Sequence, residues 1–156
     1  MTRSTGPDDD PHTIARDLAG AVDSLTALWS LAAQGAALRL SPHQLRALRI
    51  LEAAPGLNLT ALAQRMDIGP PTASRLCDRL EAAGLLEREA HPHRRREVRL
   101  RPSAHGRRVL AEVAELRTRA LASAMAAMAP GDRAAMRRGL VAFLLAGEAA
   151  PRSAPE

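Results

Sequence analysis

The sequence predicts a mainly α fold that carries one small β-hairpin. Six stretches repeat apolar residues at the three-and-four spacing of a helix. Only one region, just after Gly84, alternates in the strand sense, on either side of His91-Pro92-His93. Hydrophobic residues make up 46% of the chain, yet its aromatics are only Trp29 and Phe143. Leucine, alanine and valine must therefore do the packing, and a composition rich in the first two favours helix. At 156 residues, one domain with a substantial core is expected.

Residues 1–10 are polar, with Gly, Pro and three aspartates, and read as a disordered tail. A first helix starts with Asp10 as N-cap and Pro11 at N1, or a turn later at Thr13. Its apolar face is Ile14, Leu18, Val22, Leu25, Leu28, Trp29 and Ala32, and it ends near Gly35. Ser41-Pro42-His43-Gln44 starts a second helix, with Ser as cap and Gln at N3 to close a capping box. Leu45, Leu48, Ile50 and Leu51 are its buried side, and Pro55-Gly56 ends it.

Asn58 caps a short third helix, and Met66-Asp67-Ile68-Gly69 turns into a fourth, from about Pro70 to Ala83. Wheeled at about 100° per residue, the fourth helix gathers Ala73, Leu76, Cys77, Leu80 and Ala83 on one arc. Pro71, Ser74, Arg75, Asp78 and Ala82 take the opposite arc, with Thr72 and Arg79 at its edge. Gly84 can take φ > 0 and stops the helix. The hairpin follows, with strands expected over 86–89 and 97–101. From Arg94 to Arg101 there are five arginines against one glutamate. After it, Ser103 caps a long helix to about Ala129, striped by Gly106, Val109, Leu110, Val113, Leu116, Ala120, Leu121, Ala124, Met125 and Met128. Pro130-Gly131-Asp132 begins a last helix lined by Met136, Leu140, Phe143 and Leu144, which ends near Gly147. The tail over 148–156 reads as flexible.

Two helices joined by a tight turn and followed by a basic ribbon form a winged helix-turn-helix. The residues that carry the pattern are Leu59-Thr60-Ala61-Leu62-Ala63, Pro71-Thr72-Ala73-Ser74-Arg75-Leu76, Asp78-Arg79-Leu80-Glu81, Gly84-Leu85-Leu86-Glu87-Arg88 and Gly106. In these the chain resembles the MarR family of bacterial transcriptional regulators, over residues 12–147 in element order and most closely over 58–106. The resemblance implies that the 70–83 helix reads the major groove and that a wing arginine enters the minor groove. By register that arginine is Arg96. The family's wing usually carries Asp-x-Arg at the positions held here by Arg94 and Arg96, so the arginine is kept and the aspartate replaced. Pro102-Ser103 stands where the family has Leu-Thr. The resemblance also implies a homodimer: 11–40 and 103–147 would be dimerisation helices flanking a DNA-binding domain at 41–102. The last turns of the long helix, with their small side chains, suit such close helix packing.

Charge agrees with a polyanionic partner. The formal net charge is +5, unevenly spread. Residues 1–40 hold three arginines against five aspartates, and residues 75–108 hold ten arginines against five acids. A helix with a polar outer face fits the major groove of a duplex, and a basic ribbon reaches backbone or minor groove. A charge run by itself would equally suit a solvated hairpin; the helix-turn-helix directly before it favours double-stranded DNA. A single cysteine suits a reducing cytosol. The start lacks an apolar signal core, and the apolar runs fall short of the roughly 20 residues of a membrane span. A cytoplasmic protein with no membrane partner is therefore expected, and the resemblance implies a bacterial one. No phosphate-binding loop, nucleophile elbow or pair of pocket carboxylates argues for an enzyme. No cofactor is expected, and His91-x-His93 is too little for a metal.

The candidate DNA-binding residues are Thr60, Pro71, Thr72, Ser74, Arg75, Asp78, Arg79, Arg94, Arg95 and Arg96. Arg75 can fork to guanine O6 and N7 or bind phosphate, and the resemblance places an arginine there at DNA. Arg79 does the same or pairs with Asp78 or Glu81. Asp78 accepts from a cytosine amino group or orients Arg75 one turn before it. Pro71, Thr72 and Ser74 are short enough to let the helix sit close, and Thr60 donates to a phosphate. Arg94 and Arg95 neutralise phosphates beside Arg96. Trp29, His43 and Arg46 are candidates for an effector cleft, with core packing the alternative for Trp29. The expected function is a ligand-responsive regulator, a repressor, that binds palindromic duplex DNA as a homodimer. Its effector would be a small amphipathic or aromatic molecule. Two alternatives stand beside it: a winged-helix adaptor that docks an acidic protein, and redox sensing through Cys77, which the wheel places on the buried arc.

Overall fold

Four of the helices begin where a capping side chain stands. In a computed structural model, which describes residues 10–91 and 94–149, with side chains except at 91–97 and 148–149, the element order is six helices and one hairpin. Helix α1 is Pro11–Gln34, with the Asp10 carboxylate accepting from the Thr13 amide. Helix α2 is Pro42–Ala53, and its Ser41–Gln44 capping box is formed in both directions. Helix α3 is Leu59–Met66, capped by Asn58, and ends on Asp67 in the left-handed region at φ 56°. Helix α4 is Pro70–Ala82. Strands β1 (Leu86–His91) and β2 (Arg94–Pro102) pair antiparallel, Leu86 opposite Pro102 and Ala90 opposite Val98. Helix α5 is Ala104–Ala126 and α6 is Pro130–Ala149. Of the tails expected at 1–10 and 148–156, residues 1–9 and 150–156 lie outside the described residues, as does Pro92-His93 at the hairpin turn, whereas 148–149 continue α6 past Gly147.

The chain divides into two compact units at Thr118/Arg119. The core of the first is leucine-built: Leu48, Leu51, Leu62, Met66, Leu76, Cys77, Leu80, Leu85 and Leu100 are fully buried, with Val109, Leu110 and Val113 of α5 packed on them. The loop before α3 joins the hairpin through a Leu57–Leu100 bridge, so the wing's base is fixed to the helix-turn-helix. The foot of α1 is tied to α5, the Glu112 carboxylate accepting from the Ala37 amide at 2.9 Å.

The join between wing and α5 rests on three neighbouring groups. Ser103 Oγ donates to the Gly84 carbonyl at 2.6 Å and accepts from the Gly106 amide at 2.9 Å, while its own amide donates to the Leu85 carbonyl. Ser103 is thus both the expected cap of α5 and a lock on the end of α4. Gly84 sits at φ +69°, as the stop of α4 requires. Gly106 leaves no room for a side chain, since a Cβ there would lie 2.2 Å from the Leu85 carbonyl oxygen.

One expected core residue is displaced. Ala83 falls on the buried arc of the wheel but is exposed, because α4 ends at Ala82 and the C-cap leaves helical phase. The strands run longer than 86–89 and 97–101, and α5 stops before Ala129. No residue of α1 is buried, although its apolar face is laid out as expected: Leu18 is 53% and Val22 58% exposed. In the second unit, α6 exposes Phe143 (76%), Leu144 (64%) and Leu145 (61%). Among the described residues no helix is long and apolar enough to cross a membrane.

Candidate nucleic-acid interface

Helix α4 is two-faced in the way the wheel requires. Ala73, Leu76, Cys77 and Leu80 are buried, whereas Pro71, Thr72, Arg75, Asp78 and Arg79 are exposed and Ser74 is half-buried. Two prolines at the helix start follow Gly69, so the short turn from α3 presents this face without a bulky side chain in front of it. Thr60 is exposed on α3 and lines a cleft of about 440 Å³ with Gln64, Asp67, Gly69 and Pro70, the groove of the helix-turn-helix itself. Arg75 and Arg79 have no ion pair or side-chain hydrogen bond among the described residues.

Asp78 corrects one expectation. Its carboxylate does not orient Arg75 but accepts from Arg88 Nη2 of β1 at 2.6 Å, and Glu81 Oε2 lies 3.3 Å from the same guanidinium. Arg88 thereby links the α4 surface to the first wing strand. The bond to Asp78 raises its pKa further, so it stays charged. Arg79 is left without either of the acids expected to hold it. Sequence spacing could not reveal the Arg88 contact, because its partners lie seven and ten residues back and meet it only across the α4–β1 turn. The wing has a second pairing at its base, where Arg101 reaches Glu87 at 2.8 Å and Glu89 at 2.6 Å across the strand pair. Arg94, Arg95 and Arg96 lie on β2, and their side chains are outside the described residues.

Comparison with known proteins agrees with this architecture. Residues 40–97 match the sequence model of the MarR family. The crystal structure of RV1404 from Mycobacterium tuberculosis is 31% identical, over 94% of this chain and 98% of that one, with a TM-score of 0.79. A MarR family protein from Bacillus stearothermophilus is 25% identical over 89% of this chain and 98% of that one, with a TM-score of 0.75.

The chain belongs to the MarR family.

Its members are winged-helix, DNA-binding transcription regulators. Streptococcus pneumoniae FabT in complex with DNA shares the fold at 18% identity, over 89% of this chain and 98% of that one, with a TM-score of 0.68. No curated protein matches the chain.

The three candidate effector residues of this MarR-family chain are not brought together. Arg46 lines a cavity of about 520 Å³ with Pro42, Leu45, Arg49, Ile50, Ala53, Arg65 and Arg117. Trp29 does not line it but lies under the Arg117 guanidinium, 5.2 Å from the ring centroid, and its carbonyl accepts from Arg117 Nε. His43 is exposed and outside the lining. Arg49, Arg65 and Arg117 were not among the residues that the sequence singled out. The i, i+3 spacing of Arg46 and Arg49 was visible, whereas Arg117 arrives from a helix far along the chain.

Cys77 is fully buried, and burial pushes its thiol up, with Arg88 opposing and Asp78 and Glu81 adding to the rise. A neutral, enclosed thiol is a poor nucleophile. A thiol reagent should label native Cys77 orders of magnitude more slowly than the unfolded chain; fast native labelling would revive redox sensing. Because the folded pKa is raised, the stability this thiol contributes is fully present below the ordinary thiol range. It is lost as pH rises through the raised value.

Proposed function

We propose that this chain is a homodimeric regulator, a repressor, of palindromic duplex DNA. Helix α4 enters the major groove and the wing over 86–101 lies at the minor groove. The observation that carries this reading is the pair Arg75 and Arg79, exposed on the outer face of α4 with no protein partner among the described residues. An adaptor docking acidic proteins would have no need of them on the arc that fits a groove. Pro71, Thr72 and Ser74 let the backbone approach, Thr60 contacts phosphate, and Asp78 acts through Arg88 by setting the wing against α4. Arg96 enters the minor groove, with Arg94 and Arg95 on phosphates. The DNA found with FabT supports the same use of the fold here.

Residues 41–102 form the DNA-binding domain, and 11–40 and 103–147 the dimerisation regions. The exposed apolar residues of α1 and α6 support this, since contiguous exposed apolar patches mark interaction surfaces. Two-fold pairing would set two copies of α4 on half-sites about 34 Å apart. The protein works in the bacterial cytoplasm, on the nucleoid. A small effector that prefers the non-binding spacing of the two recognition helices releases the DNA.

The test is anisotropy on the DNA upstream of its own gene at two salt concentrations, with light scattering of the free protein. A dimer whose affinity falls with a log–log salt slope of about −0.9 per phosphate contact is expected. A salt-independent complex would sink the reading. Phe143→Glu, placing a charge on the exposed face of α6, should convert the dimer to monomer at micromolar concentration while the helical content stays. A dimer that survives this change would remove α6 from the interface.

A further inference from the structure

The cavity on the outer side of α2 is unlike an ordinary apolar effector pocket. Of its eight lining residues, Arg46, Arg49, Arg65 and Arg117 are arginines, and none is acidic or aromatic. A volume of about 520 Å³ is in the range that takes a small molecule. Leu45 and Ile50 supply an apolar wall beside the arginines.

Two of the four guanidiniums, those of Arg46 and Arg117, are held before any ligand arrives. Arg46 Nη2 donates to the Arg65 carbonyl at 3.3 Å. Arg117 is pinned by its bond to the Trp29 carbonyl and by the indole face beneath it. A side chain already held in one rotamer loses little entropy when it binds. The same arrangement is uncomfortable when empty: burial and the charge of Arg49 both push the Arg117 pKa down. Planar forks gathered without a counter-charge match oxyanions, which accept two parallel hydrogen bonds from each fork.

We infer that the cavity between α2, α3 and α5 binds a small polyanion, one molecule bearing two or more phosphate or carboxylate groups. The regulatory consequence rests on the effector reading above, whereas the binding itself does not. A molecule that draws Arg117 towards its own charge competes with the Trp29 contact, which ties the cavity to the foot of α1. A neutral or singly charged aromatic compound would leave most of the four arginines uncompensated.

The probe is inorganic pyrophosphate, titrated calorimetrically into the full chain at physiological salt, with benzoate as the aromatic monoanion. One pyrophosphate per chain is expected, not displaced by benzoate. Arg49→Gln and Arg117→Gln should each weaken it about tenfold or more, the loss of one strong fork. Arg49 is exposed, so that variant tests the site without threatening the fold. No binding, or binding that both variants leave unchanged, overturns the inference. So does DNA affinity that falls in Arg49→Gln as steeply as in Arg75→Ala without any anion, which would assign these arginines to the DNA backbone. Binding at one per chain with unchanged DNA affinity supports the site and overturns only its use as the effector switch.

Discussion

Arg75→Ala should lower affinity for the specific operator by about 10- to 100-fold, since a bidentate arginine–guanine pair contributes about 1–3 kcal/mol of discrimination. The unfolding temperature should stay where it is. The argument is one of position. Arg75 is exposed on the face of α4 opposite Ala73, Leu76, Cys77 and Leu80, and among the described residues it holds no partner that its loss would orphan. Its removal therefore costs the fold nothing and the complex a fork. Arg75→Lys separates the two ways an arginine can serve. A lysine keeps a point charge for phosphate but cannot make the planar double bond to a base edge. If Lys restores affinity to operator and random DNA alike, Arg75 is a phosphate contact. If Lys fails on the operator alone, it reads a base. Operator affinity unchanged in Arg75→Ala would remove the residue from the interface altogether.

Gly106→Ala should destabilise the protein by about 2–3 kcal/mol, the upper part of the range for overpacking a tight contact. That corresponds to a fall in Tm of about 5–10 °C for a chain of this size. The added Cβ would sit 2.2 Å from the Leu85 carbonyl oxygen, and backbone cannot swing aside as a flexible side chain would. The same carbonyl accepts from the Ser103 amide, so moving it also loosens the cap of α5 and the lock on Gly84. Thermal unfolding followed by circular dichroism measures the effect. An unchanged Tm would mean that α5 can slide on Leu85, and that the close approach is not what positions the wing against the core.

Much of this was legible because it is local. Caps at Asp10, Ser41, Asn58 and Ser103 act within three residues, so spacing alone predicted them, and all four accept the expected backbone amides. The two faces of α4 follow from a fixed rotation per residue. Ala83 failed only because the rotation stops at the C-cap. The mainly helical fold with one hairpin and the family itself were readable on the same grounds, from residues 58–106.

What the sequence could not decide is which charges meet. Asp78 had two plausible cationic neighbours on its own helix; it found instead Arg88, on the next strand. The sequence grouped Arg46 with Trp29 and His43, yet it shares a cavity with Arg49, Arg65 and Arg117. By itself the sequence determined the helices, their caps, the buried arc and the exposed arginines, because these depend on neighbours a turn away. Only the tertiary structure decided the Arg88 link, the close contact at Gly106 and the arginine cavity. These bring together groups far apart along the chain, and pairing between such groups depends on how the helices pack, which no local spacing encodes.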